Sequence, residues 1–241
     1  MSRQRPEPAV LYLDNHLLVV DKPPGMLAQG DATGDGDLVT WAKAFIKREF
    51  KKPGNVFAGL VHRLDRPVGG VTVIARTSKA AGRLAEQFRA RTVEKTYLAL
   101  VEGRVDGGGR REDWLRKTHT RERGTRVVTT GRGASGAKRA VLTWEARSVI
   151  GRRTLVEVRP ETGRPHQIRV QLAALGHPIT GDLRYGAPEA LADGRGIALH
   201  AARLTLEHPT QRDRRTFESL PPATWSGEVR AAAERVLGSG R

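Results

Sequence analysis

The chain has 241 residues, 38% hydrophobic and only 5% aromatic. That is long enough to bury a largely aliphatic core without disulfides or a structural metal. Its longest stretch free of Asp, Glu, Lys and Arg covers only 170–181, too short for a bilayer-spanning helix, and without cysteine it has no disulfide framework, thiol nucleophile or cysteine metal site. Its 42 basic residues against 26 acidic ones give a net charge of +16, a balance suited to a polyanion, most simply nucleic acid, because each neutralised phosphate releases counterions.

Residues 1–8 read as a solvated, disordered tail. The apolar run that follows is too short for a secretory signal, so a cytoplasmic protein is expected. Two apolar runs, Val10–Leu13 and Leu17–Val20, flank Asp14-Asn15 and predict a strand pair with a tight turn. After the break at Lys22-Pro-Pro-Gly25, Asp37 is placed to cap a helix carrying Leu38, Trp41, Ala42 and Phe45 at helical spacing. Val71–Ala75 is a compact β-branched run, a buried strand. Ser78 reads as the N-cap of a helix with Ala81, Leu84, Ala85 and Phe88 on one face.

Lys95–Val101 alternates like a strand. From Gly103 to Gly136 the chain is rich in glycine and basic residues, an extended loop or loose hairpin. Ala140–Trp144 and Thr154–Val158 are strand-like. A helix is expected over His166–Leu175, stopped by Gly176 and Pro178. Two further short strands are expected at Ile197–Leu199 and Leu204–Leu206, and a terminal helix at Val229–Leu237. Strands and helices interleave without a regular βαβ rhythm, which favours an α+β fold in one domain over 9–241.

Gly131-Arg-Gly-Ala-Ser-Gly136 fits a dinucleotide fingerprint in letters alone, because a strand pattern follows where a helix is required. The seven histidines form no close ligand pair, so no catalytic metal is expected. Two polar knots remain. In Leu60-Val-His-Arg-Leu-Asp65 three titratable or charged residues, His62, Arg63 and Asp65, crowd four positions ahead of Gly69-Gly70. Such a segment is equally an ordinary polar turn with an Asx-type hydrogen bond. In Arg159–Gln171, His166 and Arg169 stand three apart on one helical face, and Arg169 adjoins the apolar Ile168 and Leu172. A buried arginine needs a carboxylate; Asp65, Glu161 and Asp182 are the candidates.

Together these segments resemble the RluA-type family of RNA pseudouridine synthases. The resemblance rests on His62-Arg-Leu-Asp65, Glu94-Lys-Thr-Tyr97, Gly163-Arg-Pro-His-Gln-Ile-Arg169, the opening 14–25 and His177–Asp182, in family order from about residue 9 to 207. It implies a mixed, mainly antiparallel sheet split by a central basic cleft and flanked by helices. It also implies isomerisation of specific uridines in structured rRNA or tRNA, with no cofactor or metal, no membrane and no obligate protein partner.

Carried over, Asp65 is the catalytic aspartate, Tyr97 the tyrosine that packs against uracil, and Arg169 the arginine paired with the aspartate. Arg63 helps displace the target base. His62, Arg164, His166 and Ile168 complete the substrate site, Ile168 as an apolar wall. Where relatives often carry Thr-Ser-Gly or Val-Ser-Gly, Val68-Gly69-Gly70 stands here, one hydroxyl fewer near the turn. The family often adds a small basic RNA-binding domain ahead of the catalytic one, and the chain enters the catalytic domain almost at once. By charge alone, Arg110, Arg111, Arg116 and Lys117 in the basic stretch are expected to clamp RNA. A non-catalytic RNA-binding protein and a nuclease are the rival readings.

Overall fold

A computed structural model describes residues 6–31, 34–120, 124–191 and 194–238. The expected tail therefore falls outside the described residues over 1–5. Contacts divide the chain into two compact units, one formed by Met1–Lys95 with Ala201–Pro222, the other by Thr96–His200 with Ala223–Arg241. Both mix strands and helices, as an α+β fold requires.

The first unit is built on strands β1 (Ala9–Leu13), β2 (Leu17–Lys22), β3 (Gly59–Leu60) and β4 (Gly69–Ala75). β2 pairs antiparallel with β1 and β4, and β3 pairs with β4. Every residue of β4 is buried, so its apolar run needs cover on both faces. Helix α1 (Leu38–Glu49) lays Leu38, Ala42 and Ile46 against Leu18, Val20 and Ile74 on one side. Helix α2 (Ser78–Ala90) packs Ala80 and Leu84 with Val19, Val71 and Val73 on the other.

Asp37 caps α1 as expected, its Oδ1 accepting from Val39 N (2.9 Å) and Thr40 N (3.1 Å). The cap of α2 lies one residue earlier than expected, at Thr77, whose hydroxyl accepts from Ala80 N (3.1 Å). Thr77 keeps extended backbone angles while Ser78 is already helical, and a cap residue must be non-helical. The two strands expected near 197–206 are one, β10 (Leu199–Glu207), which pairs with β11 (Arg214–Glu218). The polar residues His200 and Arg203 that interrupt the apolar pattern are accommodated inside a continuous ladder.

In the second unit the order is β5 (Glu94–Glu102, from Thr96 on), β9 (Arg153–Pro160), β8 (Lys138–Ile150), β6 (Gly108–Thr120) and β7 (Gly124–Thr130), with antiparallel neighbours. The stretch over 103–136, expected as an extended loop or loose hairpin, thus carries regular antiparallel ladders of β6 with β7 and β8. Leu115 and Val127, from the short apolar pairs Trp114-Leu115 and Val127-Val128, anchor it on helix α3 (Gln167–Ala174) beside Ala140 and Val170. The Gly-x-Gly segment is the turn between β7 and β8 and opens no helix. The C-terminal helix α4 (Gly227–Gly238) packs on β8 and β9.

Candidate active site

In the first unit Asp65 sits in the turn between β3 and β4, closed by Val68 N donating to Asp65 O (3.0 Å). The turn returns sharply into β4 through Gly70, at φ +120°. A side chain there would collide with the backbone of Ala201, with its amide nitrogen only 2.6 Å from the added carbon, so the position needs glycine.

Beneath the turn lies Lys22, fully buried at the end of β2. Its Nζ donates to Pro23 O (3.0 Å), Met26 O (2.9 Å) and Arg66 O (3.5 Å). Burial pushes this lysine down to about 7, against the charges of Asp65 and Asp21, which raise it. Gly25 N also donates to Arg66 O (2.8 Å), so the Pro-Pro-Gly break is fastened to the residue following Asp65. Desolvation raises the neighbouring Asp21, which accepts from Ser219 Oγ at 2.6 Å.

His62 is engaged in packing. Its Nε2 accepts from Val73 N (3.0 Å) and its ring stacks on Phe88 with centroids 4.7 Å apart. Desolvation, and secondarily the charge of Lys95, hold the imidazole down to about 3, so it stays neutral near pH 7 and serves as a strut between β4 and α2. Those contacts account for His62 without any RNA. Arg63, next in sequence, is exposed.

In the second unit the loop into α3 is knotted by Thr162 and Gln167. Thr162 Oγ1 accepts from Val141 N (2.8 Å) and bonds Gln167 Oε1 (2.7 Å), while Gln167 Nε2 donates to Val141 O (2.9 Å). The helix begins one residue after His166, which holds a left-handed conformation (φ 52°). Arg169 then lies almost fully buried against Asp182. Nε reaches Oδ2 at 2.6 Å and Nη2 reaches Oδ1 at 2.8 Å, with side-chain exposures of 6% and 1%. Of the three carboxylates open to Arg169 from sequence, Asp182 is therefore one partner.

Tyr185 was not anticipated by the sequence reading. It ends a short 3-10 turn over Leu183–Tyr185 directly after Asp182. Its hydroxyl accepts from Val127 N (3.2 Å) and bonds His166 Nδ1 (2.8 Å), and its ring carries the guanidinium groups of Arg169 (5.0 Å) and Arg126 (4.9 Å). This ring joins the basic hairpin to the buried ion pair, and burial raises its pKa above the ordinary value. The only sequence signal was an aromatic residue three positions after Asp182 in a chain poor in aromatics.

Tyr97 is half-buried on β5, opposite Val158, which in turn faces Trp144. The register puts Tyr97 and Trp144 on one sheet face. Ile168 is 7% exposed. Arg164 donates through Nε to Arg139 O (3.0 Å).

The four clamp residues separate into two kinds. Arg110 pairs with Glu161 through Nε (2.9 Å) and Nη2 (3.3 Å). Arg111 pairs with Asp113 (2.7 and 3.1 Å), whose Oδ2 also accepts from Gln171 of α3 (2.8 Å). Arg111 thus braces the hairpin on α3. Arg116 and Lys117 are exposed and carry no ion-pair partner among the described residues. Among the described residues no group of three or more His, Asp or Glu is placed to hold a metal ion, and no helix is long and apolar enough to cross a membrane.

Comparison with known proteins adds an independent line. Residues 16–174 match the family described as RNA pseudouridylate synthase. The chain is 39% identical over 213 residues to the ribosomal large subunit pseudouridine synthase D of Xanthomonas campestris pv. campestris, covering 83% of this chain and 62% of that protein. It is 36% identical over 219 residues to the dual-specificity RNA pseudouridine synthase RluA of Escherichia coli K12, covering 90% and 94%. Human RNA pseudouridylate synthase domain containing 4 superposes with a TM-score of 0.74 at 25% identity, over 95% of this chain and 93% of that one.

Proposed function

The chain belongs to the RNA pseudouridylate synthase family, and from that premise we propose that it isomerises uridine to pseudouridine in structured rRNA or tRNA, with Asp65 as the catalytic residue. The observation that carries the assignment is the setting of Asp65. It stands on a glycine-enforced turn, half-buried, above a fully buried lysine whose charge it stabilises.

The reaction breaks the C1′–N1 bond and rejoins the ring through C5. The proton leaves C5 and N1 gains one, so no electrons or groups are exchanged with a second substrate. Asp65 stabilises the cation-like sugar, attacks it, or removes a sugar proton; all three suit an ionised carboxylate. Tyr97 offers an aromatic face to the detached uracil and a hydroxyl for proton transfer near C5. Arg169, oriented by Asp182, is the arginine of the motif that carries the family resemblance. A uridine inside a folded RNA is out of reach until it is flipped, at a cost of a few kcal/mol, and exposed Arg63 fills the gap. Arg116 and Lys117 contribute phosphate contacts.

Tritium release from RNA labelled at uracil C5, measured in EDTA with wild type and Asp65→Asn, tests the reading. Release by wild type alone supports it. Equal release by both overturns the role of Asp65, and RNA-chain cleavage instead of release identifies a nuclease.

A further inference from the structure

The chain draws 33 of its 42 basic residues from arginine, yet four of its nine lysines, Lys43, Lys47, Lys51 and Lys52, fall within ten positions. An arginine-biased composition does not produce that concentration. Together with Arg48 they gather at the C-terminal end of α1 and the turn after it, with Glu49 the single carboxylate among them. All five are exposed, and none has an ion-pair partner among the described residues. Three arginines of β6 and β8 behave differently, since Arg110, Arg111 and Arg139 are taken up by Glu161, Asp113 and Glu112.

The helix dipole accounts for cations in the last turn, Lys47 and Arg48. It does not account for Lys43 in the middle of the helix, four residues from Lys47, where like charges cost a few tenths of a kcal/mol. The segment is also held rigidly. Phe50 N bonds Ile46 O (3.1 Å), Lys52 N bonds Lys47 O (3.0 Å), and Lys51 sits in a left-handed conformation (φ 48°) that a lysine rarely adopts. Trp41 stacks on Phe45 at 5.1 Å and 14°, with Arg48 over the Phe45 ring (5.7 Å). Phe50, between the lysines, is 40% exposed even with the Arg76 guanidinium 3.9 Å over its ring, and aromatic rings among unpaired cations are the composition of a surface that tracks a nucleic-acid strand.

We propose that the C-terminal end of α1, with Lys43, Lys47, Lys51 and Lys52, is a contact surface for the RNA backbone, on an element separate from both the Asp65 turn and the basic hairpin. The proposal rests on the reading of the substrate as RNA. Its test is binding, so it is scored separately from turnover. The quadruple variant Lys43→Gln/Lys47→Gln/Lys51→Gln/Lys52→Gln is compared with wild type on an unmodified rRNA transcript and on total tRNA, with Kd measured from 50 to 200 mM KCl.

The expected result is a Kd raised about tenfold or more at 50 mM and a slope of log K against log salt reduced by about 3–4, at about 0.7–0.9 for each of the four lysines. Turnover at saturating RNA stays within about twofold, and the matching Lys→Arg quadruple variant keeps wild-type affinity. Unchanged Kd and slope would overturn the proposal. So would an equal loss from neutralising Lys79, Arg89, Arg212 and Arg214, exposed cations elsewhere in the same unit, since bulk charge alone would then explain binding. A wild type that binds RNA but forms no pseudouridine would refute the catalytic reading and leave the surface standing.

Discussion

Replacing Asp182 by Asn tests what the Arg169–Asp182 pair does. The substitution keeps the volume and one acceptor oxygen, but leaves the Arg169 guanidinium buried opposite an uncharged amide whose NH2 meets one of its own N–H groups. Both side chains are nearly inaccessible, at 6% and 1%, so water does not replace the lost carboxylate. Breaking one side of such a pair costs about 3–5 kcal/mol, and the retained acceptor places Asp182→Asn near the lower end, about 3 kcal/mol. For a chain of this size each kcal/mol moves Tm by about 2–4 °C, so a fall of roughly 6–12 °C is expected by circular dichroism. The urea midpoint should move at unchanged m-value. Turnover should fall with it, because the Nε and Nη2 bonds that orient Arg169 both go to this carboxylate. Adding Arg169→Met to Asp182→Asn should recover at least about 1 kcal/mol relative to the sum of the two single losses, since the double variant no longer buries a guanidinium that has lost this carboxylate. A single-variant shift below about 2 °C, or strict additivity in the double, would refute the reasoning.

Gly70→Ala should destabilise by about 2–6 kcal/mol, the sum of left-handed strain and overpacking against Ala201, seen as loss of soluble protein or a much lower Tm; a near-neutral result would refute the close approach. His62 has its folded pKa, about 3, below its unfolded one. Its contribution to stability is therefore complete above about 6.5 and is lost as pH falls toward 3. The stability difference between wild type and His62→Phe should shrink across that window, and a difference independent of pH would refute the neutral strut. Neutralising Arg116 and Lys117 should weaken RNA binding and flatten its salt dependence, whereas Arg111→Gln should lower Tm with little effect on affinity. The reverse pattern would show that the ion pair with Asp113 opens on RNA.

Much of this protein was legible one residue at a time. The strands β1, β2, β4, β5, β8 and β9 and the helices α1, α3 and α4 follow from periodicities of two or 3.6 read within a dozen residues, and such patterns are local. The motifs around Asp65 and Arg169 were likewise visible as crowded polar residues beside apolar runs, Tyr97 stood out only through the family resemblance, and the order of the three pointed to the family that the comparisons show. The errors were also local in kind: Ser78 and Thr77 are both acceptable caps, and only the backbone angles choose between them.

What the sequence left open was the choice of partner, which depends on which atoms the fold brings within 3 Å. Asp182 meets Arg169 because the turn after Ile179 delivers its carboxylate to α3. Arg110 and Arg111, adjacent and identical in type, diverge because successive residues of a strand face opposite ways, one toward Glu161 and the other toward Asp113 and α3. Lys22 and His62 look like surface residues by composition. They became a buried staple and a neutral strut because β2 and β4 are covered by helices on both sides, and burial sets the charge that a titratable group can carry.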